Sequence, residues 1–250
     1  MTALPMSKPP IAGKRLFVIK RIERHTPDVK VFTLVPKAQE KISFTPGMFV
    51  SLSIVHEGKP FGPKPFSISS SPLITDGIEL TMKKEGDFTS AFFRLEEGAE
   101  VIVQGPYGKF VMPVPPPKDV VLLAAGTGIA PLMSMLRTIL DGGYGQSHKT
   151  TVTLIFSCKD QHHILFKDEL ARRQQRFENF HGIITLTRED AGSNWQGHRG
   201  RITPAMLNEH VRNRNDAHYF ICGPGEFIKV CEEALNELDV LAERIHREKW

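Results

Sequence analysis

The segment Ala125-Gly126-Thr127-Gly128-Ile129-Ala130-Pro131 follows an unbroken apolar run and leads into a helical pattern carrying Leu132, Leu136, Ile139 and Leu140. Glycines let the backbone approach a ligand closely, a proline suits the first helical turn, and a helix N-terminus presents free N–H groups to a pyrophosphate. The chemistry this supports is the grip on a dinucleotide at a strand's carboxyl end. Gly-x-Gly turns also join strands to helices without binding anything, and Pro131 in the sixth position breaks the GxGxxG fingerprint. A second strand-to-helix turn, Ile221-Cys222-Gly223-Pro224-Gly225, sets a thiol at another strand end. Both turns are expected to face one crevice, although a lone cysteine is by default a small, inert buried residue.

Earlier in the chain, Lys64-Pro65-Phe66-Ser67-Ile68-Ser69-Ser70-Ser71 gathers a cation, an aromatic and a row of hydroxyls into one strand. A cation can hold a phosphate, an aromatic can stack on a ring, and hydroxyls can bond ring heteroatoms. A serine-rich edge strand has the same appearance. The run Met82-Lys83-Lys84-Glu85-Gly86-Asp87-Phe88-Thr89-Ser90 sets basic residues and hydroxyls at the start of a short helix, which suits a second phosphate cradle or an ordinary N-cap by Thr89 or Ser90. His162-His163 lacks a third ligand at a usable spacing and reads as structural or surface, so no metal is expected. Arg172, Arg173 and Arg176 read as a solvated helix face, with docking of an acidic electron carrier as the alternative.

Two kinds of scaffold must position these groups. From residue 15 to about 111, short alternating apolar bursts (Leu16–Ile19, Val31–Val35, Phe49–Ile54, Ile78–Met82, Val101–Val103) are separated by Pro46-Gly47, Gly58, Asp76-Gly77 and Gly98. This predicts a small antiparallel barrel with one short helix near Ser90 to Leu95. Pro113, Pro115, Pro116 and Pro117 form a stiff connection. Strands then alternate with helices: Val120–Ala125, a helix from Pro131, Val152–Phe156, a helix near 165–178, Ile183–Leu186, a helix from Pro204, Tyr219–Ile221 and a helix near 226–238. That is the grammar of a parallel α/β sheet. The organisation expected is a flexible tail over residues 1–14, a barrel over 15–113 and an α/β domain over 118–250.

Thirty-two Lys and Arg against 28 Asp and Glu leave +4, too weak and too evenly spread to point to nucleic acid. Cys158, Cys222 and Cys231 contain no CxxC pair, so neither a disulfide framework nor a Cys-ligated iron–sulfur cluster is encoded. No signal-peptide core or membrane span is evident, and a reduced, cytoplasmic protein is expected.

The order and distances of Lys-Pro-Phe-Ser, Gly105-Pro106-Tyr107-Gly108, Gly-Thr-Gly-Ile-Ala-Pro and Cys-Gly-Pro behind a barrel resemble the ferredoxin-NADP reductase superfamily over roughly residues 15–250. The resemblance implies an N-terminal FAD-binding barrel and a C-terminal NAD(P) domain, with the flavin ring at the cleft. The family's Arg-x-Tyr-Ser pattern falls on Lys64, Phe66 and Ser67. Lys64 keeps the charge without the bidentate fork, and Phe66 keeps a stacking face without the phenol. Ser67 matches the serine near flavin N5, and Gly86 to Ser90 aligns with the FAD pyrophosphate loop, favouring FAD over FMN. Thr127 falls beside the nicotinamide, Cys222 on the cysteine that places nicotinamide C4, and Phe227 where many members carry Met. Thr187-Arg188, with Lys159 near, takes the place of the Ser-Arg pair on the 2′-phosphate of NADP. This leans toward NADPH, with stacking of Arg188 on adenine of NADH as the alternative. Glu248 and Trp250 resemble the acidic-x-aromatic terminus that moves protons and covers the flavin.

The function implied is transfer of hydride from NAD(P)H to bound FAD and of electrons onward to a separate carrier: a ferredoxin-like protein, an oxygenase component or a small molecule. A non-catalytic nucleotide-binding or electron-transfer subunit of a larger complex is the alternative. A flavin-free alcohol dehydrogenase would lack the barrel and show GxGxxG. The electron-transfer subunit of dihydroorotate dehydrogenase would carry a C-terminal cysteine cluster.

Overall fold

A computed structural model describes residues 13–56, 58–144 and 150–249. The chain divides into two compact units, one ending at Val111 and the other beginning at Met112.

The first unit is a six-stranded antiparallel sheet of β1 (Arg15–Thr26), β2 (Val29–Pro36), β3 (Phe49–His56), β4 (Lys59–Ser67), β5 (Ile78–Lys83) and β6 (Glu100–Tyr107), in the order β4-β3-β6-β1-β2-β5. Alternation builds its interior: Phe17, Ile19, Phe32, Leu34, Leu52, Ile68, Leu80 and Val103 are all fully buried in one cluster. The two edge strands meet at a seam where Ile68 bridges Leu80 and Ser69 N donates to Glu79 O at 2.8 Å, closing the sheet into a barrel. Two serine hydroxyls serve that closure, and a third holds the turn that follows. Ser69 Oγ donates to Glu79 O (3.1 Å) and accepts from Thr81 Oγ1 (3.1 Å), Ser70 Oγ accepts from Glu79 N (3.0 Å), and Ser71 Oγ accepts from Leu73 N (3.3 Å). The strand expected over Lys64 to Ser71 therefore starts at Lys59 and stops at Ser67.

Helix α1 spans Asp87–Phe92, three residues earlier than the sequence pattern suggested. Gly86 (φ +82°) ends the extended chain, and Phe88, Ala91 and Phe92 then turn inward at helical spacing. Beyond Phe92 the bonds Arg94 N to Ala91 O and Leu95 N to Phe92 O shorten to three-residue turns, so the apolar residues Phe93 and Leu95 cover the barrel without extending the helix.

The second unit contains β7 (Asp119–Ala125), α2 (Ile129–Asp141), β8 (Thr151–Cys158), α3 (Lys167–Arg176), β9 (Phe180–Leu186), β10 (His198–Arg199), α4 (Pro204–His210), β11 (His218–Gly223), α5 (Gly225–Glu237) and β12 (Ile245–Lys249). All pairings are parallel, in the order β10-β9-β8-β7-β11-β12. The winding runs from β7 outward to β10 and then returns to β11 on the other side, so strand order reverses between β7 and β11. Ligands of open α/β sheets bind at such switch points. The edge strands β10 and β12 went unforeseen because one has two residues and the other is the mostly polar Ile-His-Arg-Glu-Lys.

Helix α2 is buried all round except at Arg137 and at its last residue, Asp141. That guanidinium forks onto Glu169 of α3 (Nε to Oε1 2.8 Å, Nη2 to Oε2 2.6 Å). Arg173 also bonds Glu169 (2.8 Å) and forks onto Asp141 (2.9 Å twice). Arg173 is thus a buried tie between helices rather than part of a solvated face, whereas Arg172 and Arg176 are exposed. Burial pushes the Glu169 carboxyl up, but its bonds and charges from Arg137 and Arg173 outweigh this and hold it at about 2. Among the described residues no helix is long and apolar enough to cross a membrane.

Candidate active site

In the barrel, β4 and the segment after β5 enclose a cleft of about 380 Å³, walled by Phe61, Lys64, Pro65 and Phe66 on one side and by Glu85 to Thr89 on the other. Behind it the rings form a ladder. Phe66 stacks on Phe88 (centroids 5.8 Å apart, 25° between planes), Phe61 meets Phe88 edge-on at 5.4 Å, and Phe88 leans on Phe92 at 6.1 Å. Phe61 escaped the sequence reading because five residues separate it from Phe66, an odd interval that should put it on the opposite face. Pairing steps from Leu52↔Lys64 to Ile54↔Phe61, so β4 holds one extra residue there, and this bulge returns Phe61 to the face of Phe66.

The helix start beside the cleft has no side-chain cap. Thr89 Oγ1 instead accepts from Glu85 N (2.6 Å) and donates to Glu85 O (2.8 Å), pinning the turn and leaving the first-turn N–H groups uncapped by a side chain. Nothing lies within 4 Å of where a Cβ on Gly86 would stand. Lys64, Lys84, Gly86 and Asp87 are exposed, Ser90 is half-buried, and Lys83 pairs with Glu85 at 3.5 Å. Ser67 is half-buried and its hydroxyl has no partner among the described residues. Ile68, Ser69 and Met82, read as cofactor contacts, are fully buried and do not line the cleft: Ile68 and Met82 pack in the barrel core, and the Ser69 hydroxyl is engaged at the seam by Glu79 and Thr81.

In the α/β unit, Gly126 (φ +54°) opens a 3₁₀ turn, Gly126–Gly128, that runs into α2 at Ile129, with Pro131 in its first turn. A Cβ on Gly128 would stand 2.3 Å from the Cys222 carbonyl oxygen and 2.6 Å from its carbon. One on Gly223 would stand 2.7 Å from Phe227 Cδ1 and 3.1 Å from Ala125 Cβ. The Gly-Thr-Gly and Cys-Gly-Pro turns are therefore in direct backbone contact at the β7/β11 switch point, the place where open α/β sheets offer a ligand crevice. No side chain caps α2 or α5, whose N-cap residues are Gly128 and Pro224. The Thr127 hydroxyl is half-buried and has no partner among the described residues.

Beside this crevice, Cys222 pairs in register with Glu248 of β12. Burial, with the Glu248 charge second, pushes the Cys222 thiol far above its ordinary range. Burial also lifts the Glu248 carboxyl to about 7, and its Oε2 is buried without a partner among the described residues. Trp250 lies outside the described residues.

At the ends of β8 and β9, Thr187 N and Oγ1 both donate to Cys158 O (2.9 and 3.1 Å), and Arg188 N donates to Lys159 O (2.7 Å). Lys159 and Arg188 are thereby held side by side, both exposed and without an ion-pair partner among the described residues. The neighbouring carboxylates are occupied. Asp160 accepts from His163 Nδ1 (2.7 Å) and His162 N (2.8 Å), and Glu189 from Gln161. Asp160 thus caps the short turn that carries His162 and His163.

The family model of the oxidoreductase FAD-binding domain matches residues 16–112, and that of the oxidoreductase NAD-binding domain matches residues 122–233. The chain belongs to the ferredoxin-NADP reductase superfamily. This superfamily member is 28% identical, over 92% of its length, to the glycine betaine monooxygenase reductase subunit of Chromohalobacter salexigens, of which it covers 62%. It is 30% identical, over 83% of its length, to the 3-ketosteroid-9-alpha-monooxygenase ferredoxin reductase component of Mycobacterium tuberculosis, of which it covers 55%. The chain thus spans less than two thirds of these curated relatives. The flavohem-like FAD/NAD binding domain of nitric oxide dioxygenase from Vibrio cholerae has the same fold, with a TM-score of 0.83 and 22% identity over 96% of this chain and 99% of that one. The antiparallel FAD-binding barrel and the parallel NAD-binding sheet are those of the superfamily.

Proposed function

We propose that this protein is a reductase that draws hydride from NAD(P)H onto FAD and passes electrons to a separate acceptor, a ferredoxin-like protein or an oxygenase component. The observation that carries the reading is the seating of Gly128 on the Cys222 carbonyl, which places two uncapped helix starts at one switch-point crevice. The barrel fits the flavin half: an open glycine turn with uncapped N–H groups for a pyrophosphate, a cation at Lys64, an aromatic wall at Phe66 and a free hydroxyl at Ser67.

FAD, when bound, supplies acceptance of a hydride and release of single electrons. The protein binds and positions. Gly86 to Ser90 hold the pyrophosphate, with Lys64 as counter-charge, and Phe66 flanks the ring. Ser67 donates its hydroxyl to the ring edge. Gly126 to Ile129 and Gly223-Pro224 receive the nicotinamide dinucleotide, Thr127 and Cys222 orient its nicotinamide, and Lys159 with Arg188 grips a 2′-phosphate. Glu248, lifted by burial to about 7, can take up and release a proton near neutral pH. Three buried free thiols suit a cytoplasmic location.

Anaerobic stopped-flow absorbance near 450 nm, mixing the FAD-loaded protein with NADPH or NADH, tests this. Rapid bleaching is expected, faster with NADPH. Absence of a flavin band after reconstitution with FAD would reject the reductase reading in favour of a non-catalytic nucleotide-binding subunit.

A further inference from the structure

Two imidazoles meet at the β10 edge of the α/β unit. His210, the last residue of α4, places Nε2 2.8 Å from Nε2 of His198 on β10, with ring centroids 4.8 Å apart and planes at 87°. Glu209 Oε1 lies 3.6 Å from His210 Nε2. One ligand atom from each residue falls within 4.8 Å of the others. We propose that His198, Glu209 and His210 form a binding site for a divalent transition-metal ion of the zinc class.

The donor set fits, and so do the two separations measured from His210. Two imidazoles and one carboxylate suit zinc and its neighbours better than magnesium or calcium, which take oxygen ligands. With bonds of about 2.0–2.1 Å, nitrogens at the observed separation subtend about 86° at a shared ion, and the nitrogen–oxygen pair about 120°. These angles bracket the tetrahedral value and leave a fourth position for water.

Both histidines stand on fixed backbone. His198 pairs with Thr185 of β9, its carbonyl accepts from Trp195 Nε1 (3.0 Å), and Gly200 beyond it is held by Leu186 O (2.8 Å) and Thr185 Oγ1 (2.7 Å). Helix α4 is set by Pro204 and by Thr203 Oγ1, which accepts from Met206 N. Two neutral imidazoles facing each other through Nε2 can share only one proton. An ion engages both lone pairs, and that proton moves to Nδ1. Burial disfavours the charged form of the His210 ring. Glu209 and His210 open onto a polar groove of about 650 Å³ over the amino-terminal ends of β7 to β9, which gives an ion its path in. The sequence reading passed over this pair because His198 and His210 stand 12 residues apart on two separate short elements, a two-residue strand and the end of a helix.

Untagged, FAD-loaded protein freed of metal by a chelator is titrated with zinc chloride by calorimetry, alongside His198→Ala, Glu209→Gln and a His162→Ala/His163→Ala control. One equivalent of zinc is expected. Affinity should fall by at least about 10-fold in His198→Ala and in Glu209→Gln, and stay unchanged in the control. Glu209 is exposed, so Glu209→Gln decides the matter if His198→Ala fails to fold. No stoichiometric binding, or binding that Glu209→Gln leaves unchanged, overturns the proposal.

Discussion

Cys222 and Glu248 stand side by side in register across β11 and β12, a buried thiol beside a carboxyl whose Oε2 has no partner among the described residues. The carboxyl titrates at about 7 because burial disfavours its charged form. A carboxyl whose folded pKa is raised adds stability that is full below its unfolded value near 4.5 and is lost as pH climbs through 7. Glu248→Gln should therefore match the parent near pH 4.5 and exceed its Tm by roughly 2–4 °C at pH 8. Thermal unfolding followed by circular dichroism across pH 4.5–8 checks this; equal melting temperatures at pH 8 would refute it.

Glu169 has the opposite sign. Arg137 and Arg173 hold it at about 2, so its contribution is complete above pH 4.5 and disappears as pH falls from 4.5 through 2. Glu169→Gln should cost about 3 kcal/mol at pH 7 and almost nothing at pH 2. Urea unfolding at the two pH values measures the difference.

Two glycines should respond differently to alanine. At Gly128 the new methyl meets the Cys222 backbone at 2.3 Å, so β7–α2 and β11 must part, at a cost of about 3 kcal/mol or more and with nucleotide affinity reduced. At Gly86 the space is open and only the positive φ resists, costing about 1 kcal/mol. Unfolding curves of both variants rank them.

Ser67→Ala should keep the fold and FAD content while slowing flavin reduction by about 10-fold or more, since its hydroxyl serves no protein partner. Ser69→Ala should do the reverse, losing about 1 kcal/mol of stability with the reduction rate kept, because its hydroxyl closes the barrel. Stopped-flow rates beside melting curves separate the two.

Arg188→Ala should raise the KM for NADPH by about 10-fold or more and leave that for NADH nearly unchanged. Parallel losses with both donors would assign Arg188 to adenine stacking instead.

The barrel and the parallel sheet were legible because their strands follow the two apolar periodicities: alternation in β2 and β3, continuous burial in β7 and β8. The two glycine turns were legible because only glycine fits against a neighbouring backbone. What alternation cannot show is where pairing slips or a sheet closes. The bulge in β4 brought Phe61 to the cleft, and the seam drew Ile68 and Ser69 away from it. The edge strand β12 hid for another reason, since its lateral pairing on β11 leaves most of its side chains only half-buried or exposed and imposes no apolar pattern.

Strand β4 has a further consequence. Apart from the seam, it is the barrel's outer edge, and Pro60, Pro63 and Pro65 remove three amide hydrogens from it. An edge short of donors is a poor template for a strand from another molecule. The wall beside Lys64 and Phe66 can therefore stay uncovered for a ligand without inviting the chain to polymerise through it.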